Sequence, residues 1–306
     1  MTSGASPAPI LLLGAGGLLG TELRATLSPL APLVAPARDT LDLADLDAMR
    51  AAVRALRPAA IVNAAAWTAV DDAERERDMA RHLNAAVPRA LAEEAARLEV
   101  PLVHYGTDYV FDGRASRPYT ELDSPNPLNV YGETKLDGEN ALRAVGGSFL
   151  ILRTSWLYGT AGRSFLGTIR RLARESGELR IVDDQRGCPT WSRRVAEATA
   201  RILAEAGDRG RFILAPKRVG TFHVAAAGEA TWFDFARAIL ELDARAEHRH
   251  GGIVPIATSD RPTAARRPPY SVLSTESAQA AFGLRFEHWR DDLTRAMAVG
   301  SGGAEP

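Results

Sequence analysis

The chain has 306 residues, 46% of them apolar and 25% charged, with a net charge of −1; this suits a soluble globular protein of one large or two ordinary domains. Acids and bases are interspersed, so charge gives no basis for nucleic acid or an anionic membrane as the main partner. A single cysteine, Cys188, excludes an intrachain disulfide framework and a multi-thiolate metal site; no apolar run of about 18 residues exists to cross a membrane, and MTSGASPAP lacks the basic and apolar regions of a signal peptide, so a cytoplasmic protein is expected.

In chain order, short apolar runs at Ile10–Leu13, Leu33–Ala35, Ile61–Ala64, Leu102–Tyr105 and Leu150–Arg153 read as buried strands. Segments of helical spacing, among them Leu46–Leu56 and Met79–Leu98, lie between several of them. Buried runs alternating with amphipathic helices predict an α/β protein, a Rossmann-type doubly wound parallel sheet covered on both faces. Ligands of such folds bind beyond the carboxyl ends of the strands. The first strand runs directly into GAGGLLG, with glycines at Gly14, Gly17 and Gly20 and a helix expected from about Thr21. Glycines there permit a tight turn and let backbone N–H groups approach a pyrophosphate on the positive end of the helix. The second strand leads into LVAPARDTLDL, where Ala37 and Arg38 stand in place of the acid that would bond the ribose of NAD. An arginine there can pair with a 2′-phosphate, which points to NADPH, with NADH as the alternative.

The fourth strand ends in HYGTDYVFDG, placing a hydroxyl, Thr107, and a carboxylate, Asp108, at its carboxyl end. A proline-rich loop then leads to Tyr131 and Lys135, which share one face of a helix at i, i+4 spacing. Of 37 basic residues only two, Lys135 and Lys217, are lysine. A tyrosine is a weak acid–base catalyst at neutral pH unless its pKa is tuned. A nearby ammonium is expected to lower the Tyr131 pKa, and lysine serves better than arginine as a compact point charge that also bonds a ribose hydroxyl.

The second half is turn-rich at 183–190 and 253–270, with helix-like pieces at Arg193–Ala206, Phe233–Leu242 and Trp289–Met297. The expected organisation is a dinucleotide-binding domain over 8–155, with 191–225 returning to it. A smaller, partly interleaved C-terminal substrate domain takes 156–190 and 226–300, and 1–7 and 301–306 form flexible tails. His248 and His250 have no third ligand in view and read as a solvated turn. Cys188 has no adjacent base, Asp71 and Asp72 suit a helix start, and Trp232, Phe233 and Phe235 read as core. Arg266 and Arg267 are open between a diphosphate contact and a solvated pair.

The glycine turn, the strand-end Thr107 and the Tyr131–Lys135 pair together resemble the extended short-chain dehydrogenase/reductases. Within them, the chain resembles the dTDP-4-dehydrorhamnose reductase family in VNAAAWTAVDDAE (62–74), VHYGTDYVFDG (103–113), PLNVYGETKLDGE (127–139), LRTSWLYG (152–159), DDQRGCPT (183–190), FHVAAAGEATWFDFA (222–236) and ARRP (265–268). The resemblance implies that Gly17, Leu18 and Leu19 line the pyrophosphate, Asp42 and Leu43 the adenine, and Ala66, Trp67, Thr68 and Tyr105 the rest of the cofactor. It implies that Thr107, Asp108 and Trp156 meet the sugar, that Tyr131 donates the proton and that Lys135 binds the nicotinamide ribose. The implied reaction reduces the C4 ketone of dTDP-4-dehydro-β-L-rhamnose, a small-molecule sugar nucleotide.

Two departures stand out. Gly106 occupies a position where the family usually has serine. Some members dimerise through a magnesium held by three glutamates; Glu22 matches one, but Arg193 and Arg290 stand at the other two positions, and arginine cannot ligate Mg²⁺. No metal and no Mg-bridged dimer are expected, leaving a monomer or weak homodimer. The alternative functions are reduction of another NDP-4-keto sugar, or a non-catalytic regulatory subunit resembling the methionine adenosyltransferase β subunit. Retention of Thr107, Tyr131 and Lys135 speaks against the latter.

Overall fold

The computed structural model describes residues 8–160, 162–175, 177–208, 210–243 and 250–300. The five apolar runs form strands β1 (Ile10–Leu13), β2 (Leu33–Val34), β3 (Ala60–Asn63), β4 (Leu102–Thr107) and β5 (Phe149–Thr154). Every residue of β1, β3 and β4 is buried, which is why these strands read as unbroken apolar runs instead of alternating ones. A sixth strand, Gly220–His223, comes from far along the chain and pairs in parallel with β5. The sheet order is Gly220–His223, β5, β4, β3, β1, β2, all parallel. From β1 the chain leaves to β2 on one side and returns to β3 on the other, so the switch point lies between β1 and β3 and opens a crevice at their carboxyl ends.

Helix α1 spans Leu18–Leu27 and begins three residues before the expected Thr21, because Gly17 is already its extended N-cap. Helix α2 spans Leu46–Leu56 as its spacing predicts, with Asp45 accepting a hydrogen bond from the Ala48 N–H. The expected helical segment Met79–Leu98 lies within an unbroken helical stretch made of Arg77–Arg81, a π-helical turn, His82–Ala86, and α3, Val87–Leu98. Pro88 supplies the reason for the π-helical turn: it has no N–H for the Asn84 carbonyl, and its ring crowds that carbonyl, so the turn before it widens.

Helix α4, Val130–Val145, carries Tyr131 and Lys135. The Asn129 side chain accepts from the Gly132 N–H at 2.8 Å and donates to the Arg266 carbonyl at 2.7 Å, capping the helix and tying it to a distant loop. Two glycines let α4 lie against backbone on both sides. A Cβ on Gly132 would stand 2.2 Å from the Tyr109 carbonyl oxygen, and one on Gly138 2.1 Å from the Asn84 carbonyl oxygen. Helix α4 is thus seated by contacts that only glycine allows.

Helix α5 spans Phe165–Ala173, α6 Ser192–Ala206 and α7 Trp232–Leu242. The sequence α6 packs on α1 within the main sheet's core, where Leu19, Leu23, Val195 and Ile202 meet. A second core joins Tyr158, Leu166, Trp191, Phe235, Ile239 and Leu293 beside the parallel strand pair Gly177–Val182 and His250–Ile256. His248 and the side chain of His250 lie outside the described residues.

Candidate active site

A cleft of about 730 Å³ runs along the carboxyl ends of the strands, from the Gly14–Gly20 turn to Thr107, Tyr131 and Lys135. Its first part is built from backbone. Gly14 has φ +77°, and a Cβ there would fall 2.5 Å from the Ala65 nitrogen; a Cβ on Gly20 would fall 2.0 Å from the Gly14 carbonyl oxygen. Gly16, by contrast, has open space where a Cβ would go, and Gly17 has only the Gly14 carbonyl oxygen at 3.4 Å. No side chain caps α1, so its first N–H groups and its positive end are free to take a diphosphate. The chain therefore fits a dinucleotide by its own geometry.

Of the residues expected along that cofactor, Gly14, Gly17, Leu18, Leu19, Arg38, Asp42, Leu43, Ala66, Thr68 and Tyr105 line the cleft. Trp67 does not line it: its indole N–H donates to the Ala69 carbonyl at 3.1 Å, and the ring packs beside Val130. Asn84 fixes Trp67 by accepting its backbone N–H at 2.8 Å and donating to its carbonyl at 3.1 Å. Tyr105 reaches the cleft, yet its hydroxyl is held in the core by Thr199 at 2.9 Å. Its carbonyl accepts from Lys135 Nζ at 2.6 Å. Arg38 and Arg24 both face the cleft near the β2 end.

Thr107 and Tyr131 border both this cleft and a second hollow of about 450 Å³, while Lys135 lines the first cleft only. Burial pushes the Tyr131 phenol up to about 12, with the adjacent Thr107 hydroxyl opposing and the Asp108 charge adding to the rise. Lys135, 2% exposed, is lowered to about 8 by burial, against the pull of Glu139. The expected lowering of the Tyr131 pKa by an ammonium is thus corrected: desolvation dominates both groups, and it favours phenol over phenolate.

Asp108 was expected to meet the sugar. Its carboxylate is 2% exposed and accepts from Ser271 Oγ at 2.6 Å, Ser155 Oγ at 3.0 Å and Thr107 Oγ1 at 3.2 Å. Burial raises its pKa to about 6 against those three hydroxyls. It borders both hollows, but most of its acceptor capacity serves to hold β4, the β5 end and the Ser271 segment together. At Gly106 a Cβ would meet Glu139 Oε1 at 2.5 Å and Arg153 Cγ at 2.7 Å; in this chain that space belongs to a buried ion pair, with Arg153 Nη2 2.7 Å from Glu139 Oε2.

The second hollow is walled by Trp156, Arg163, Phe165, Thr168 and Trp232 together with Tyr109 and Tyr131. Trp156 has φ +45°, a conformation uncommon for a bulky residue and a pointer to function. Trp232 stacks on it with centroids 3.5 Å apart and planes 4° from parallel, while Gly187 leaves room on its edge. Reading Trp232 as core missed this role; only Phe235 of that aromatic group is fully buried. Nothing in ATWFDFA marks Trp232, since Trp156 lies 76 positions away. Arg267 is committed to Asp71 through hydrogen bonds of 2.7 and 2.6 Å and is not an unpaired cation. Glu22 is paired with Arg193 at 2.9 Å, and Arg290 with Glu241 at 3.5 Å. Cys188 is buried, with its thiol pushed up to about 12.

A doubly wound sheet, a backbone-built dinucleotide cleft and a Thr–Tyr–Lys cluster at its end define the class, an oxidoreductase of the extended short-chain dehydrogenase/reductase type. The family described as RmlD substrate binding domain matches residues 8–301. The chain is 42% identical to a dTDP-4-dehydrorhamnose reductase of Burkholderia thailandensis, over 92% of this chain and 95% of that protein. It is 37% identical to a dTDP-4-keto-6-deoxy-D-glucose reductase of Streptomyces niveus, over 94% and 96%. Among solved structures, a dTDP-4-dehydrorhamnose reductase of Bacillus anthracis in complex with NADP superposes with a TM-score of 0.84 at 32% identity, covering 95% of this chain and 99% of that one. The protein belongs to the dTDP-4-dehydrorhamnose reductase family.

Proposed function

We propose that the protein reduces the C4 ketone of dTDP-4-dehydro-β-L-rhamnose to the alcohol of dTDP-L-rhamnose, the last step in making that sugar nucleotide, with NADPH as donor and NADH as a weaker one. The observation that carries this reading is that Thr107 and Tyr131 border both hollows, with Lys135 on the first; the first is shaped for a dinucleotide and the other is walled by tryptophans. Bound NADPH supplies the hydride. Tyr131 is a phenol at neutral pH, which is the protonation state a proton donor needs. As the ketone carbon gains hydride, its oxygen takes the proton from Tyr131 Oη and the C4 hydroxyl forms; the phenolate left behind regains a proton from solvent. The Thr107 hydroxyl borders the same junction and orients the ketone oxygen. Trp156 and Trp232 bound the sugar side, and Lys135 and the α1 turn bind the cofactor. Arg38, with Arg24 beside it, takes the 2′-phosphate.

The pairing of Glu22 with Arg193 supports a monomer or a weak dimer without a bridging metal, and sugar-nucleotide synthesis supports a cytoplasmic setting. The Streptomyces relative keeps a second sugar in view. The test follows NADPH absorbance with dTDP-4-dehydrorhamnose and, separately, with dTDP-4-keto-6-deoxy-D-glucose. Consumption is expected with the first at a kcat/KM at least tenfold higher than with the second. The reverse order reassigns the sugar; no consumption with either, in protein that binds NADPH, rejects a reductase.

A further inference from the structure

The segment DDQRGCPT (183–190) carries no residue of the catalytic cluster, yet its alternate positions touch the start of α7 or the Trp156 ring. Asp183 Oδ1 accepts from the hydroxyl of Thr231, the N-cap of α7, at 2.6 Å. Gln185 Oε1 accepts from the Trp232 indole N–H at 3.2 Å. Gly187 makes way for Trp156, since a Cβ there would fall 2.4 Å from Trp156 Cε2. The side chains between them go elsewhere, Asp184 to Thr258 and Arg186 to Glu229. This is the alternation of an extended chain, and it sends Asp183, Gln185 and Gly187 to the aromatic side.

Gln185 is 6% exposed, and its amide has one orientation that satisfies both ends. The Thr258 hydroxyl has one proton and gives it to Asp184 Oδ1 at 2.5 Å, a carboxylate that only accepts. The Thr258 oxygen therefore accepts from Gln185 Nε2 at 2.9 Å, which leaves Oε1 for the indole N–H, a group that only donates. Asp184 also accepts the Thr258 backbone N–H, at 2.9 and 3.0 Å. The amide is thereby anchored to the backbone that follows the strand His250–Ile256.

We propose that Gln185 is a positioning residue for sugar recognition: it fixes the rotation of the Trp232 ring, and that ring, stacked on Trp156, holds Trp156 in the backbone conformation that sets its place in the wall. A bulky residue at φ +45° persists only where its surroundings over-determine it. For Trp156 one segment supplies both constraints, through Gln185 and Trp232 on the ring face, 3.5 Å away, and through Gly187 at the ring edge. No residue of 183–187 lines the dinucleotide cleft, so the cofactor half is outside this device. The proposal rests on reading the second hollow as the sugar side of the reductase.

The ring itself reports on the contact. The chain holds five tryptophans, so 15N-indole labelling gives five side-chain N–H signals, and Trp232→Phe assigns the one from Trp232. In Gln185→Leu that signal is expected to move upfield and to exchange faster with solvent. The KM for the sugar nucleotide is expected to rise about threefold to fivefold, the size of one lost hydrogen bond, with kcat and NADPH affinity retained. In the Trp232→Phe background, which has no indole N–H to hold, Gln185→Leu should raise KM no further. An unmoved Trp232 signal, or KM changes that add across the pair, overturns the proposal and leaves the reductase reading standing. Wild-type protein that turns over neither sugar nucleotide overturns that reading and the sugar role of Gln185 with it. Should Gln185→Leu fail to fold, Thr258→Val removes the acceptor that orients the amide. It is expected to shift the same signal and raise KM in the same direction, and a wild-type signal and KM there overturn the proposal.

Discussion

The two halves of the cleft are made in opposite ways. The cofactor half is mostly backbone: glycines with no room for a Cβ, an uncapped helix end, and apolar residues within a few positions of the strand ends. The substrate half is mostly side chains gathered from distant segments, with Trp156 after β5, Arg163 and Phe165 at the start of α5, and Trp232 at the start of α7. Backbone recognition suits a ligand part shared by many enzymes, whereas a wall of side chains can change its shape without disturbing the sheet. Helix α4 lies at the seam and is held on both sides, by the Tyr109 and Asn84 carbonyls and by the Asn129 link to Arg266.

That division can be broken at three points. The largest effect is expected at the seam. Tyr131→Phe should lower turnover by two or more orders of magnitude while leaving NADPH affinity, read by fluorescence titration, unchanged; near-normal turnover would remove Tyr131 as the proton donor. Next comes the cofactor half, where Arg38→Ala should weaken NADPH binding about tenfold or more, the size of one lost charge-assisted contact, and leave NADH binding as it was. Equal losses for both cofactors would show that Arg38 does not read the 2′-phosphate. The smallest effect belongs to the substrate half. Trp232→Ala should raise the KM for the sugar nucleotide by about tenfold, on the order of one aromatic stack, with NADPH affinity retained. A change in NADPH affinity instead would mean that the two halves are not separable.

Much of the cofactor half was legible beforehand because its signals are local. The glycine spacing follows β1 immediately, Thr107 ends β4, and Tyr131 and Lys135 stand one helical turn apart. Trp67 was misplaced for a reason outside its own segment: Asn84 fixes its backbone, and the π-helical turn that positions Asn84 exists because of Pro88. Trp232 packs against the second core as expected, but its stack on Trp156 was not legible, because an aromatic at helical spacing looks the same with or without such a partner. The pKa argument for Tyr131 failed on burial. The i, i+4 spacing brings an amine near a phenol, but both groups are almost free of solvent, and desolvation outweighs their mutual effect.

By itself, the sequence determined the periodicities of the buried strands, the turn that only glycine can make, and the residue types of the catalytic cluster, since each depends on neighbours within about one helical turn or one strand. The tertiary structure decided the rest. It made Gly220–His223 the sixth strand, set Trp232 against Trp156, gave Asp108 to Ser155 and Ser271, and put His104 between Asn63 and Lys135. Those assignments turn on burial and on contacts between segments far apart in the chain. Solvent exclusion sets which proton a buried group keeps, and no local pattern carries that information.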